Sequence, residues 1–316
     1  MKKYNLITPE GTRDLLFDEC MARRGIEKEL MGLFVKNNYH EVITPLLEFY
    51  DVFDNFFPQE SVYKLTDAKG RLMVLRPDST IPIIRRLAET RLHDEPRPLK
   101  LCYNQTIYRA NPKEAGRDDE IAQSGIEIIG GSIKETDFEA LTLALETLEL
   151  ISGNYRFEIG DCGIFNVLLQ YEGIENEDEK EELRKLIESK NYPELSAKAP
   201  GLIAELPKLF GGAEVFEKAE KLFGGVPVEY NITRLKSIFD ELNKVVNGNK
   251  INVDFGLTNK RGYYSEIFFN GYIEGYGKPI LSGGRYLFED TNGIGWNTLG
   301  VGFAVNVSAA ANLRKG

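Results

Sequence analysis

No run of apolar residues in this 316-residue chain approaches the roughly 20 needed to cross a bilayer, so no membrane-spanning helix is expected. The N-terminus, MKKYNLITPEGTRD, has lysines but lacks the apolar core of a signal peptide, which makes the cytoplasm the expected compartment. Cysteine is scarce. Cys20, Cys102 and Cys162 are odd in number, far apart and outside any CxxC spacing, which argues against a disulfide framework and against a zinc site. Buried, reduced thiols are expected instead, with no metal and no cofactor. Positive charge is also short: 39 Lys and Arg face 49 Asp and Glu, and the net charge of −10 disfavours a nonspecific nucleic-acid binder. No Lys/Arg stripe interleaved with aromatics supplies a local basic groove, and there is no internal repeat or low-complexity tract.

What is present is a globular composition. With 42% hydrophobic residues and 11% aromatics, the chain can bury a full core, enough for one large domain and a smaller one. Residues 13–38 read as a helix through Leu16, Cys20, Leu30 and Phe34, ending near Asn37 and Asn38. Strands are expected at 71–77, 99–109, 120–130 and 154–161, with a helix at 81–90. Between the last two strands, Thr136 and Glu139 have capping-box spacing, and Phe138, Leu141, Leu145, Leu148 and Ile151 form one apolar stripe. From 163 to 250 the sequence turns to short, charged, helical pieces, after which INVDFGLT, GYYSEIFFNGYI and TLGVGFAVNV restore strand patterning. The expected architecture is α+β: a core domain from 1–162 and 251–316, interrupted by a helical insertion subdomain at 163–250.

The chemistry is concentrated in 120–130. Alternation along a strand puts Gln123, Gly125 and Glu127 on one face and Ser124, Ile126 and Ile128 on the other. If that first face is buried, its amide and carboxylate need a ligand, water or partner side chains; if it is a solvated sheet face, they need nothing. At Arg76-Pro77-Asp78-Ser79-Thr80, Asp78 can either cap the following helix or accept from a ligand ammonium. Tyr263 and Tyr264 fall on opposite faces of a strand, so at most one enters a given pocket.

Taken together, TPEGTRD, YHEVITPLLE with Pro45, LRPDST, IYR with Arg109, the Gln123/Glu127 strand, the YY pair, SGGRY and GVGFAV resemble the class II histidyl-tRNA synthetase core from residue 1 to about 308. The resemblance implies an antiparallel sheet flanked by helices. It also implies a histidine pocket in which Asp78, aided by Thr80, holds the amino group, Gln123 contacts the amino-acid backbone, and Glu127 with Tyr263 or Tyr264 reads the imidazole. Arg109 is the arginine the family keeps. An imidazole N–H needs an acceptor such as a carboxylate, and the other ring nitrogen can accept from a tyrosine hydroxyl.

Other cations are replaced. The family's GRYRQFHQ meets GRDDEIAQ, placing Asp119 where an arginine is expected. An ungapped alignment puts Asn259 at the catalytic arginine, whereas a shifted register puts Arg261, two positions on, in its place; Ala309 stands at the motif 3 arginine. Activation of an amino acid by ATP needs fixed positive charge around the phosphates, and each lost contact of this kind is worth about 10²-fold or more in rate. The sequence given ends at Gly316, before any anticodon-binding domain, so no tRNA partner is expected. A synthetase core with a histidine pocket and altered ATP chemistry resembles the regulatory subunits of ATP phosphoribosyltransferase. That resemblance implies a noncatalytic, allosteric histidine sensor partnered with a short catalytic subunit, in a homodimer within a hetero-octamer. The alternative is a synthetase-like ligase that adenylates histidine or a related amino acid.

Overall fold

A computed structural model describes residues 4–54, 56–84, 91–92, 94–110, 118–199, 201–246, 248–258, 264–288 and 297–314. In chain order the elements are α1 (Asp18–Lys36), β1 (His40–Glu41), β2 (Leu47–Phe49), β3 (Lys64–Thr66), β4 (Leu72–Leu75), β5 (Leu99–Tyr108), β6 (Glu120–Ile129), α2 (Ile133–Ile151), β7 (Tyr155–Asp161) and α3 (Cys162–Tyr171). Then come α4 (Glu177–Glu188), α5 (Tyr192–Lys198), β8 (Phe210–Gly211), α6 (Glu214–Leu222), α7 (Glu229–Val245), β9 (Ile251–Asp254), β10 (Tyr264–Ile273), β11 (Leu281–Phe288), β12 (Thr298–Asn306) and α8 (Val307–Leu313). None of the described helices is long and apolar enough to cross a membrane. The chain forms two compact units, one of residues 1–131, 288–298 and 304–316, the other of 132–287 and 299–303.

In the first unit, β5 and β6 are ten-residue antiparallel partners, in register from Leu99 opposite Ile129 to Tyr108 opposite Glu120, and β1 runs parallel to β5. A second, antiparallel sheet has the order β2-β4-β3. Helix α1 packs on β5, β6 and α8. It begins at Asp18, five residues later than expected: Phe17 precedes it at φ +46 without a side-chain cap, and Leu16 and Cys20 lie exposed. The buried stripe is therefore Ile26, Leu30 and Phe34, with Cys102 the buried thiol of this unit and Cys20 not buried. The end of α1 is as the sequence implies, since the Asn37 N–H bonds back to Leu33 and Phe34 carbonyls and Asn38 turns the chain at φ +65.

The second unit has the strand order β11-β10-β7-β9-β8, with β10 antiparallel to β11 and β7, and β7 parallel to β9. Helix α2 packs on β10 and β7, and bare Gly271 makes room for it: a Cβ there would sit 2.6 Å from Leu148. Leu141, Leu145, Leu148 and Ile151 are buried as the stripe requires, whereas Phe138 is half-buried. The capping box does not form. The helix starts one turn earlier, after Ser132, and the Thr136 hydroxyl instead donates to the Ser132 carbonyl at 2.9 Å. Within this unit Asp137, nearly buried, accepts from two guanidiniums, Arg285 Nε at 2.7 Å and Arg234 Nη2 at 2.5 Å. That shared carboxylate ties α2 to β11 and α7; removing it would strip the buried Arg285 of its carboxylate, whereas Arg234 would keep Glu266 at 2.6 Å.

Glu27 is the corresponding buried charge of α1, bonded to Arg23 Nε at 2.8 Å and Arg24 Nη1 at 2.6 Å. Burial raises its carboxyl, but hydrogen bonds and charge from Arg23 and Arg24 outweigh that and leave it below its ordinary 4.5. A carboxylate depressed on folding stabilises the native state above its unfolded value and loses that contribution as pH falls through the folded one. Urea titrations at descending pH below 4.5 should therefore show a shallower stability loss for Glu27→Gln than for the unmodified chain; parallel losses would contradict this role.

Candidate functional site

The face of β6 that carries Gln123 and Glu127 is buried, which removes the solvated-face alternative: Gln123 is 8% and Glu127 1% exposed. Residues directly opposite in an antiparallel pair share a face. Gln105 stands opposite Gln123, Tyr103 opposite Gly125 and Leu101 opposite Glu127, so one polar floor runs across both strands. The other face belongs to α1, whose Arg23 Nη2 reaches Thr106 Oγ1 at 3.2 Å. Among the described residues, Gln123 makes no side-chain hydrogen bond.

A buried arginine shapes one border of this floor. Arg76 donates from Nε to the Thr106 carbonyl at 2.8 Å and from Nη1 to the Thr44 carbonyl at 2.7 Å and the Pro45 carbonyl at 3.3 Å. It thereby fastens the end of β4 and the Thr44-Pro45 segment onto β5. Thr44, so held, donates its hydroxyl to Gln105 Oε1 at 2.8 Å.

Immediately after this arginine the chain turns into a helix at Asp78. Asp78 Oδ1 accepts from the backbone N–H groups of Thr80 at 2.8 Å and Ile81 at 3.2 Å, so the capping alternative holds for that oxygen. Its Oδ2 lies 3.5 Å from Arg109 Nη2. Arg109 in turn donates Nε to the Pro77 carbonyl at 2.8 Å and lies 5.8 Å from the Phe57 ring centroid. The cap uses one carboxylate oxygen and leaves the other facing the guanidinium. The helix expected at 81–90 starts here, and its residues 85–90 lie outside the described residues.

Asp119 is bound to the protein itself. Tyr63 donates to Asp119 Oδ2 at 2.5 Å, Asp119 N–H donates to the Gly11 carbonyl at 2.7 Å, and the Asp119 carbonyl accepts from Arg109 N–H at 2.9 Å. Accepting charge beside the phenol, together with burial, pushes Tyr63 up to about 12, so it remains a donor at neutral pH. Gly11 explains the TPEGTRD glycine. It lies at φ +74, and a Cβ on it would come 2.5 Å from Asp119 Cγ.

In the second unit, Tyr264 packs its ring on Phe268 at 4.9 Å between centroids and stands opposite Tyr286 in register. Two glycines give the rings clearance: a Cβ on Gly284 would be 2.8 Å from Tyr264 Cδ1, and one on Gly300 would be 2.5 Å from the Tyr286 hydroxyl. Tyr263, Asn259 and Arg261 lie outside the described residues. Ala309 is buried in α8, which Asn306 caps by accepting from the Ala309 N–H at 2.9 Å. Ser308 accepts from the Ala122 N–H at 3.1 Å, tying the start of α8 to β6 in the first unit.

Gln105, Thr44 and Tyr63 were not legible as site residues. Gln105 follows from Gln123 once the hairpin register is known, but Thr44 and Tyr63 come from segments whose approach no local pattern encodes.

The chain is similar to known proteins along nearly its whole length. A profile of the family described as histidyl-tRNA synthetase matches residues 11–310. The ATP phosphoribosyltransferase regulatory subunit of Bacillus thuringiensis (strain Al Hakam) is 38% identical over 323 aligned residues, covering 98% of this chain and 76% of that one. Among solved structures, an ATP phosphoribosyltransferase regulatory subunit/histidyl-tRNA synthetase from Bacillus halodurans C matches with a TM-score of 0.88 and 27% identity, over 100% of this chain and 85% of the other. A histidine–tRNA ligase subunit from Alicyclobacillus acidocaldarius shares the fold at a TM-score of 0.81 and 23% identity, over 98% of this chain and 97% of the other.

The Gly11 geometry gives a direct test of the Asp119 anchor. Gly11→Ala should lower stability to urea by about 1–3 kcal/mol, the usual cost of forcing a side chain into this backbone region, and the clash should add to it. In an Asp119→Gly background, which by itself loses the Tyr63 hydrogen bond, Gly11→Ala should cost the backbone part alone without the clash. A loss below about 0.5 kcal/mol, the range of ordinary surface substitutions, would contradict the close approach.

Proposed function

Because the chain belongs to the ATP phosphoribosyltransferase regulatory-subunit family, built on the histidyl-tRNA synthetase fold, we propose that it is a regulatory subunit of ATP phosphoribosyltransferase. In this reading it is noncatalytic. It supports a short catalytic subunit in a phosphoribosyl transfer, the first step of histidine biosynthesis, and senses L-histidine on that subunit's behalf. The observation that carries the reading is Asp119: a carboxylate, fixed by Tyr63, stands where the synthetase resemblance calls for a cation. A triphosphate there would meet a negative charge that is not free to swing away.

The ligand residues are assigned from the resemblance and supported by burial. Asp78 Oδ2 and Thr80 serve the histidine ammonium, Gln123 and Arg109 the backbone end, and Glu127 the imidazole, with Tyr264 or Tyr263 the assigned aromatic hydroxyl. Glu127 is held on the buried face of β6 at 1% exposure, on the same face as Gln123. In the proposed assembly the chain forms a homodimer within a cytoplasmic hetero-octamer, without tRNA, and residues 163–250 are an insertion subdomain. Histidine regulates by preferring one of two assembly states, and its effect on the partner equals that difference in affinity.

Calorimetry and pyrophosphate exchange separate this reading from an adenylating ligase. The chain, alone or with the catalytic subunit, should bind L-histidine, and at 100 times Kd the ligand should add about 2.7 kcal/mol of stability. Histidine-dependent exchange of pyrophosphate into ATP should be absent. Exchange would establish the ligase reading, and no histidine binding in either setting would refute the sensor.

A further inference from the structure

We propose that Gln105 is a specificity residue of the β5–β6 floor: its amide N–H₂ donates to the free carboxylate of a bound amino acid and so selects the unmodified acid. The proposal rests on the histidine-sensor reading above and assigns to it a residue that the synthetase resemblance does not supply.

The geometry begins with the orientation of the amide. Thr44 Oγ1 already faces Arg76 Nη1, a donor, at 3.5 Å, so its own hydrogen is directed to Gln105 Oε1 at 2.8 Å. That bond fixes which end of Gln105 is which. Oε1 is turned to Thr44, and Nε2 is the far end, a donor that is buried and, among the described residues, has no acceptor. Gln105 is 5% exposed, so neither bulk water nor a change of rotamer readily satisfies it. A buried amide donor held in place by its own carbonyl is a preformed half of a hydrogen bond, and an anionic oxygen is its strongest complement.

The register then selects which part of the ligand it meets. Gln105 is directly opposite Gln123, whose amide also makes no side-chain hydrogen bond among the described residues, whereas Leu101 is opposite Glu127. The floor is thus apolar beside the carboxylate assigned to the imidazole and doubly amide beside the residue assigned to the amino-acid backbone. Four residues along a strand separate the Cα atoms of Gln123 and Glu127 by about 13 Å, and their side chains close that gap toward the length of one amino acid. An α-carboxylate near Gln123 is within the reach of Gln105, and the imidazole near Glu127 is not. The consequence for function is selectivity for a free acid. Once the carboxylate is esterified, amidated or absent, the anionic oxygen that Gln105 recognises is lost, and the donor returns to being buried without a partner.

The experiment compares L-histidine with histamine, which keeps the imidazole and the amine but has no carboxylate, by calorimetry on the full chain with the catalytic subunit present. Two variants are used: Gln105→Met, which removes the donor at similar length, and Gln105→Glu, which keeps the acceptor for Thr44 and turns the donor into a negative charge. Circular dichroism and urea midpoints confirm that each is folded; should Gln105→Met not fold, Gln105→Glu carries the same comparison. The unmodified chain should prefer L-histidine over histamine. Gln105→Met should reduce that preference by about ten-fold through weaker histidine binding, with histamine affinity within about two-fold, and Gln105→Glu should reduce it further. An unchanged preference in a folded variant would overturn the role of Gln105 while leaving the sensor intact. No binding of either compound to the unmodified chain would overturn the sensor reading and this inference with it.

Discussion

Arg76 is the interaction on which the first unit's site depends. Its guanidinium is buried, and main-chain carbonyls of Thr44, Pro45 and Thr106 accept from it, so a single side chain joins the end of β4, the segment ahead of β2 and the C-terminal end of β5. Desolvating a charge costs several kcal/mol unless it is hydrogen-bonded, so these acceptors hold their positions as firmly as Arg76 holds them. The consequences follow along the chain in both directions. Two residues on, Asp78 caps a helix with one oxygen and faces Arg109 with the other. On the other side, Thr44 is placed to turn the Gln105 amide.

The energetics of the floor distinguish it from an ordinary packed sheet. A core strand hides apolar side chains, yet here Gln105, Gln123 and Glu127 are all at least nine-tenths buried. Leaving a buried donor such as Gln105 Nε2 without an acceptor costs about 1–3 kcal/mol, a substantial part of the 5–15 kcal/mol that holds a typical domain folded. Such a cost persists where a ligand recovers it. Asp119 differs. Its polar groups are already satisfied by Tyr63, Gly11 and Arg109, and it asks nothing of a ligand. An unsatisfied donor on the β5–β6 floor and a satisfied carboxylate at Asp119 fit the proposed receptor for a free amino acid.

Much of this was legible in the sequence, and the exceptions have physical causes. The β5 and β6 strands, the shared face of Gln123 and Glu127 and the apolar stripe of α2 follow from periodicity, because period-2 and period-3.6 patterns are local. Burial of the floor was not legible, since alternation says which residues share a face but not which face is covered. Helix starts differ at α1, where Leu16 and Cys20 match the apolar spacing but lie exposed, and at α2, where Thr136 has capping-box spacing but its hydroxyl bonds Ser132 instead. The tie between Tyr63 and Asp119 spans 56 positions, and only the tertiary fold brings those segments together. Gly11, Gly284 and Gly300 each mark where another side chain lies against bare backbone.

The central claim is that this chain reads histidine for a catalytic partner. It is tested most directly by assaying phosphoribosyl transfer by the short catalytic subunit, alone, with this chain, and with this chain plus L-histidine. The account predicts little transfer from the catalytic subunit alone, restoration on adding the chain, and inhibition by histidine that is weakened by Glu127→Ala in a subunit that still restores activity. Transfer that neither depends on the chain nor responds to histidine through it would contradict the account.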